Sequence, residues 1–311
     1  MANENLVYKD TLQKETTGIL KILFVINPGS GNRKTDWPKE IEAYFQFLKH
    51  SIELFFIKPG FKINLLKEKI AIFKPDTVVA VGGDGTVGLV AECLLQKNIS
   101  LGILPAGSAN GLAKELGTCV SSVEALDIII AGRIEKIHVT MVNEKLCIHL
   151  SDIGFNAYMI KKFESKHKRG IWGYVKAFIK AAWNVLFINT SVHVSMSFEN
   201  EIVETEAIMI VIANATKYGN GALINPLGSM IDELFEIIVV KKISFTEIFK
   251  TLVSHAPYNP EKTEVFQTRH LIMRSTKKVH FQVDGEYLGK VNKIEATLMP
   301  AAIQMIVPVK K

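Results

Sequence analysis

VAVGGDGTVGLVAECLLQKNISLGILPAGSANGLAKELG, residues 79–117, holds two short apolar runs, each delivered into a glycine-rich polar turn and then into a helical pattern. The run Thr77 to Val81 is short and β-branched. Pro75 and the glycine cluster bound it, which predicts a buried parallel strand rather than a helix. Ile99 to Leu104 ends in the same way. The turns that follow read Gly82-Gly83-Asp84-Gly85-Thr86 and Gly107-Ser108-Ala109-Asn110-Gly111. In an open α/β sheet, ligands sit at the carboxyl ends of the strands. Glycine lets backbone N–H groups approach phosphate oxygens, and the N-terminus of the next helix adds partial positive charge. Two such turns side by side predict a polyphosphate cradle.

The same rhythm extends toward the N-terminus. Ile19 to Ile26 reads as a strand that stops at Asn27-Pro28-Gly29-Ser30-Gly31-Asn32, and Pro38 and Glu40 open a helical pattern through Lys49. Ile52 to Ile57 is a second strand and Phe61 to Phe73 a second helix. Strand and helix alternate to about Gly132, the pattern of a doubly wound, mostly parallel sheet. Past Arg133, β-type runs follow one another: Ile134 to Asn143, Lys145 to Ile153, Ser191 to Phe198, Ile202 to Ala213, Leu234 to Val240, His270 to Met273, Val279 to Val283, Lys293 to Met299 and Ala302 to Val307. Consecutive strands with short turns predict an antiparallel sheet or sandwich. The expected organisation is an α/β doubly wound nucleotide-binding domain over 19–132 and an all-β sandwich over 133–311, with the last strand free to return to the first domain.

A length of 311 residues fits about two domains. With 48% hydrophobic and 22% charged residues the chain can bury a full core, which excludes a disordered protein. Every apolar run meets Lys, Glu or Asn before about 18 residues, so no membrane span is expected and the protein should be soluble. Residues 1–18 mix acids, amides and lysines and carry no apolar segment of a secretory signal. Cys93, Cys119 and Cys147 are odd in number and unpatterned, which favours a reducing cytoplasm and thiols that pack rather than bind metal. A net charge of +6 and a pI near 9.0 suit anionic partners without choosing among them. Nucleic acid is the least favoured, because the basic residues are dispersed and no recognised motif is present. No internal repeat suggests a solenoid.

Two stretches interrupt the second domain. Lys161 to Arg169 is the basic run KKFESKHKR. Ile171 to Phe187 follows as a broad-faced helical pattern with Trp172, Tyr174, Phe178, Trp183, Leu186 and Phe187, and with Lys176 and Lys180 on its narrow polar side. The plainer reading is a helix packed across the sheet behind a solvated charge run. The sharper one is a surface that faces anionic lipid.

Two familiar phosphate motifs are approached and missed. Residues 29–35, GSGNRKT, would be a P-loop but for Arg33 in the place of the glycine before Lys34. Gly83-x-Gly85-x-x-Gly88 has the dinucleotide spacing, yet the acid expected about 20 residues on is absent from Gly102-Ile103-Leu104-Pro105.

The combination is more telling than either. Asn27-Pro28-x-Ser30-Gly31, GGDGT at Gly82 to Thr86, and P-x-G-S-x-N at Pro105 to Asn110, in that order and each after a strand, resemble the diacylglycerol kinase catalytic domain family, which includes bacterial lipid kinases and sphingosine kinases. The likeness continues in residues 214–232, NATKYGNGALINPLGSMID, and in Val283-Asp284-Gly285-Glu286, so it spans about Lys21 to Val307. The resemblance implies an ATP-dependent lipid kinase with its active site in the cleft between the α/β domain and the sandwich. It implies that Asn27, Gly82, Gly83, Asp84, Gly85, Thr86, Gly107, Ser108 and Asn110 line the ATP phosphates and their Mg²⁺. Asp284 and Glu286 are then expected to supply the carboxylate that accepts the proton of the lipid hydroxyl. Asp232, with the main-chain oxygens of Ser229 and Leu234, falls where bacterial members hold a structural Mg²⁺.

The implied partners are ATP and a membrane lipid, met by peripheral contact at the inner membrane face from the cytoplasm, and the resemblance allows a homodimer. Phosphoryl transfer needs in-line positioning, neutralised charge and an oriented hydroxyl, which these residue types can supply. Plainer roles exist: Asp84 could close its own turn, and Asp284-Gly285 could be an ordinary hairpin turn. The chain departs from the family at Gly88-Leu89, where Asn-Glu is usual, at Gly111, where Asp is frequent, and at Glu233, where Gly is common. The rival readings are an NAD kinase-like enzyme acting on a soluble nucleotide and a catalytically impaired nucleotide- or lipid-binding module.

Overall fold

The computed structural model describes residues 18–31, 35–164, 191–199, 201–216, 223–226, 228–242 and 262–309. They belong to two compact units, one of residues up to Ile137 together with those from Ala301 on, the other His138–Pro300.

The first unit alternates β1 (Lys21–Ile26), α1 (Trp37–Phe45), β2 (Ser51–Phe56), α2 (Ile63–Phe73), β3 (Thr77–Gly82), α3 (Asp84–Leu94), β4 (Ser100–Pro105), α4 (Gly111–Glu115) and α5 (Ser122–Ala131). Its strands lie parallel in the order β2-β1-β3-β4. The end of the chain adds a fifth strand, Gln304 and Met305 running parallel to Ser100 and Leu101. In such an order the connections leave β1 and β3 toward opposite sides, which opens a crevice at their carboxyl ends. Both faces of the sheet are covered. Ile22, Phe24, Val79, Val81 and Leu104 pack under α1 and α5, with Phe24 edge-on to Phe45 at 5.6 Å, and the alternate residues Leu23, Val25, Val78 and Ala80 are equally buried on the other face. That is why β1 and β3 read as unbroken apolar runs. Helix starts carry local signals: Asp36 caps α1, whose first turn holds Pro38, and Ser121 with Glu124 forms a capping box on α5. Helix α1 ends at Phe45 rather than at Lys49, because the Leu48 N–H turns back to the Phe45 carbonyl.

The second unit contains β6 (Lys145–Cys147), β7 (Leu150–Gly154), α6 (Phe155–Glu164), β8 (Val192–Phe198), β9 (Glu201–Ala207), β10 (Met209–Ala213), β11 (Phe235–Val240), β12 (Thr263–Thr268) and β13 (His270–Val283); β5 (Arg133–Val142) leads into it and β14 (Glu286–Val307) leads out. Pairing is antiparallel in the order β12-β11-β10-β7-β13-β14. Strand β13 pairs with β8 along Ile272–Ser275 and with β7 along Phe281–Val283, changing partner across a register shift between Arg274 and Val279. Strands β10 and β11 are buried along their whole length. Ile210, Ile212, Ile237 and Val239 join a core with Met196, Phe235 and Phe281, while Met209, Val211, Ile238 and Val240 meet Phe155 and Met159 of α6.

Several boundaries differ from the sequence reading. The run Lys145 to Ile153 is two strands interrupted at Ile148 and His149, and the run Ile202 to Ala213 is broken at Ile208, whose N–H leaves its own strand for the Val240 carbonyl. Conversely, His270 to Met273 and Val279 to Val283 are one strand, as are the two last runs. Strand β12 and helix α6 were not expected. The helical pattern Ile171 to Phe187 and most of the basic run before it lie outside the described residues. No described helix is long and apolar enough to cross a membrane.

Cys93 and Cys147 are buried and Cys119 is exposed. Burial, reinforced by the neighbouring Glu92 carboxylate against two lysines, pushes the Cys93 thiol up to about 11. Burial first, and then the Asp284 carboxylate, pushes Cys147 well above the usual thiol range. Because the thiolate is the reactive form, an alkylating reagent at mildly alkaline pH is expected to modify Cys119 quickly and the other two only on unfolding. Peptide mapping after brief iodoacetamide treatment checks this, and rapid labelling of Cys93 would contradict it.

Candidate active site

The turns after β1, β3 and β4 touch one another through backbone. Asn27 leaves β1 with its N–H on the Val81 carbonyl at 3.0 Å, its Nδ2 donates to Thr86 Oγ1 at 3.1 Å, and its Oδ1 accepts from the Gly29 N–H at 3.0 Å. A Cβ on Gly107 would lie 2.4 Å from Gly83 Cα, and one on Gly31 only 2.6 Å from the Gly107 carbonyl carbon. Any side chain at either position would force the turns apart. Asn110, in the left-handed region at φ +51, folds back on the same loop. Its Oδ1 accepts from the Gly107 N–H at 2.8 Å and its Nδ2 donates to the Gly107 carbonyl at 3.0 Å. Gly82 and Thr86 are buried, whereas Gly85 and Ser108 are exposed at the rim.

Asp84 neither points away from this cluster nor closes its own turn. Its two carboxylate oxygens accept from the N–H groups of Gly111 and Leu112, each at 3.0 Å. These are amides at the start of α4 that have no partner within the helix, and a carboxylate there also suits the helix dipole. Asp84 therefore latches the turn after β3 to the turn after β4. Asp84→Asn would set an NH₂ against one of those amides, at a cost of about 1–3 kcal/mol. The expected result is a lower melting temperature together with weaker ATP binding, read by calorimetry; a variant with parental values on both would remove the latch.

In the second unit, Val283 pairs with Glu286, which leaves Asp284-Gly285 as a two-residue turn with φ +47 and +88. Both values are positive, as the tight hairpin turn favoured by Asp-Gly demands. The plainer reading of this dipeptide is thus correct for its backbone, but its side chain does more. Asp284 Oδ2 accepts from the Ile148 N–H at 2.8 Å, and Oδ1 accepts from His149 at 2.9 Å and Leu150 at 3.0 Å, with Cys147 Sγ at 3.6 Å. These bonds draw Ile148 and His149 out of regular pairing and account for the break between β6 and β7. Asn214 holds the far side of the kink, its Nδ2 donating to the carbonyls of Ile148 at 3.0 Å and His138 at 2.8 Å. Asp284 is fixed yet exposed, and Glu286 is exposed beside it.

Ser229, Asp232 and Leu234 lie in the segment that enters β11. Asp232 Oδ1 is buried with no hydrogen-bond partner. A buried carboxylate oxygen left bare is costly, and it is the kind of oxygen donor that a hard cation takes. Ser229 Oγ accepts from the Ile231 N–H at 3.3 Å. Glu233 turns to Arg269, whose guanidinium also donates from Nε to the Glu233 carbonyl at 3.2 Å. Its replacement of glycine therefore puts no second acid on Asp232. No group of three or more His, Cys, Asp or Glu side chains is placed to hold a metal among the described residues. Tyr218, Gly219 and Gly221 of the Asn214 motif lie outside them.

Sequence reasoning passed over the amides that Asp84 and Asp284 bind, and it left Gly31 as part of a motif rather than of the site. Gly31 was within reach, since it ends the first motif. The amides of 148–150 carry no side-chain signal.

Comparison with known proteins agrees at the level of the family. The model of the diacylglycerol kinase catalytic domain matches residues 21–142, and that of the YegS C-terminal NAD kinase beta sandwich-like domain matches residues 165–307. A diacylglycerol kinase of Staphylococcus saprophyticus is 26% identical over 221 residues, which cover 70% of this chain and 72% of that one. The protein named probable lipid kinase YegS in Escherichia fergusonii is 28% identical over 239 residues, 75% of this chain and 78% of its own. The crystal structure of a diacylglycerol kinase from Bacillus anthracis strain Sterne matches in fold with a TM-score of 0.68 at 19% identity, over 94% of this chain and 98% of that chain. The chain thus carries the catalytic domain of the diacylglycerol kinase family over residues 21–142, followed by a β-sandwich-like domain over residues 165–307. At the level of that family it is a lipid kinase, a phosphotransferase whose phosphate donor is ATP.

Proposed function

We infer that the protein transfers the γ-phosphate of ATP to the hydroxyl of a membrane lipid, a diacylglycerol, a sphingoid base or a related lipid, at the inner face of the membrane. The observation that carries the nucleotide half is the contact of the β1, β3 and β4 turns at Gly31, Gly83 and Gly107, which leaves the loop backbone open to phosphate oxygens. The Asn27 to Thr86 bond and the Asp84 latch hold that backbone in place before nucleotide arrives, so little reorganisation is needed on binding. Asp284, held by three main-chain amides, orients the acceptor hydroxyl and takes its proton, with Glu286 beside it. Asp232 and the carbonyls of Ser229 and Leu234 would hold a structural Mg²⁺, and Mg²⁺ on the nucleotide would neutralise charge on the phosphates.

The test is an unbiased one. Radiolabelled ATP and Mg²⁺ are incubated with vesicles made from a total lipid extract, and in parallel with NAD. Labelled lipid, identified by mass spectrometry, is expected. Labelled NADP without labelled lipid would transfer the reading to a soluble-nucleotide kinase, and ATP binding without transfer to either would leave a binding module.

A further inference from the structure

Behind the Asp284-Gly285 turn lies a line of hydrogen bonds that the reading above does not use. Gln282 stands in β13 between the buried Phe281 and Val283 and is itself 1% exposed. Its Oε1 accepts from the Gly285 N–H at 2.7 Å and its Nε2 donates to Asp152 Oδ2 at 2.6 Å. Asp152 is as deeply buried and sits directly opposite Gln282 in the register of β7 with β13. The same Oδ2 accepts from Asn156 Nδ2, in the first turn of α6, at 2.6 Å. The strand is tied along its backbone too, Ser151 Oγ donating to the Gln282 carbonyl at 2.8 Å.

A carboxylate only accepts, whereas a glutamine amide has one donating and one accepting end. Opposite Asp152 the amide of Gln282 has a single satisfactory orientation, Nε2 toward the carboxylate, and that orientation delivers Oε1 to Gly285. A neutral amide at 152 would satisfy either orientation once the half-buried Asn156 amide turns with it, and the flipped one sets an NH₂ against the Gly285 N–H. Keeping a carboxylate buried is costly, and an apolar pair could fill the same space. What the carboxylate adds is direction. We propose that Asp152 and Gln282 are positioning residues for phosphate transfer: they fix the Gly285 peptide, and with it the hairpin turn that presents Asp284 and Glu286 to the acceptor hydroxyl. This rests on the lipid kinase reading of those two acids.

Polarity reversal tests it. Asp152→Asn lets the amide at 282 flip, and Gln282→Glu sets two carboxylates face to face. In the double variant the amide at 152 donates to the carboxylate at 282, whose other oxygen still accepts from Gly285, and the Asn156 amide turns so that its oxygen accepts the second N–H of residue 152. Each single variant is expected to lose about 10- to 100-fold in kcat for lipid phosphorylation, with KM for ATP unchanged. The double variant should recover to within a few-fold of the parent. Hydrogen exchange at the Gly285 amide should quicken in the singles and slow again in the double, independently of turnover. Gln282→Met adds no charge, and should lose the same kcat if the charge-bearing variants fold poorly. Singles with parental kcat, or a double no better than the singles in both kcat and exchange, overturn the proposal. A parent chain that labels no lipid would instead sink the lipid kinase reading, while the exchange rates still decide whether the pair braces the turn.

Discussion

Gly107→Ala is expected to weaken ATP binding by about 100-fold or more, the scale on which a displacement of about 1 Å in a positioned group is felt. The added methyl would sit 2.4 Å from Gly83 Cα, 2.7 Å from Asn110 Oδ1 and 3.1 Å from the Gly83 nitrogen. Two of those neighbours are main chain, and the third is the oxygen that holds Gly107 in place. No rotamer change relieves the contact, so the turn after β4 must move off the turn after β3. Overpacking of this kind costs about 1–3 kcal/mol. The informative control is Gly88→Ala, in the same neighbourhood of sequence but inside α3 with nothing within 4 Å of the new methyl. There alanine should be neutral or stabilising by about 0.4–1 kcal/mol. Calorimetric titration of ATP into both variants, with melting curves, checks the pair. If Gly107→Ala binds ATP as tightly as the parent does, the contact of the three turns is not what shapes the phosphate site.

That contrast also marks how far the sequence could be read. Strands β1, β3 and β4 were legible because each is a short apolar run that ends in a turn bearing proline or glycine, residues with a local cause at a strand end. The role of Asp84 was not legible, since the amides it binds lie 27 and 28 residues further on and any residue but proline would offer them. The same holds more strongly for the break at Ile148 and His149, which is set by a carboxylate 136 and 135 residues away. Polar residues misled the strand reading in β13, where Ser275 to Lys278 looks like a loop but forms the register shift at which the strand changes partners. Strand β12 hid for a related reason: TEVFQT is mostly polar and buries only Thr268, and among the described residues it pairs with β11 alone. Gln282 did leave a trace, a polar residue between Phe281 and Val283, but Asp152 follows Ser151 in LSDIG and gave no such contrast.

Asp284→Asn is the substitution with the largest expected effect on turnover, and the geometry divides that effect into two parts. Asparagine tolerates φ +47 as well as aspartate does, so the hairpin turn survives. Its oxygen is best placed where Oδ1 was, still accepting from His149 and Leu150, which leaves its NH₂ facing the Ile148 N–H. One lost bond with a facing donor costs about 1–3 kcal/mol, enough to lower the melting temperature by several degrees without unfolding the chain. Loss of a carboxylate that takes up a proton removes about 10²- to 10⁴-fold in rate. Assayed well below the melting point, the variant should therefore bind ATP normally and label almost no lipid. Cys147 should stay unreactive, because burial is the first cause of its raised pKa and Asp284 only the second. Glu286→Gln supplies the comparison: exposed and bound to none of the amides of 148–150, it should lose less turnover and no stability. If the rate lost in Asp284→Asn is instead regained on cooling, in step with the folded fraction, then Asp284 serves only to pin the loop of residues 148–150. The proton must then pass to Glu286, whose own substitution would carry the larger loss.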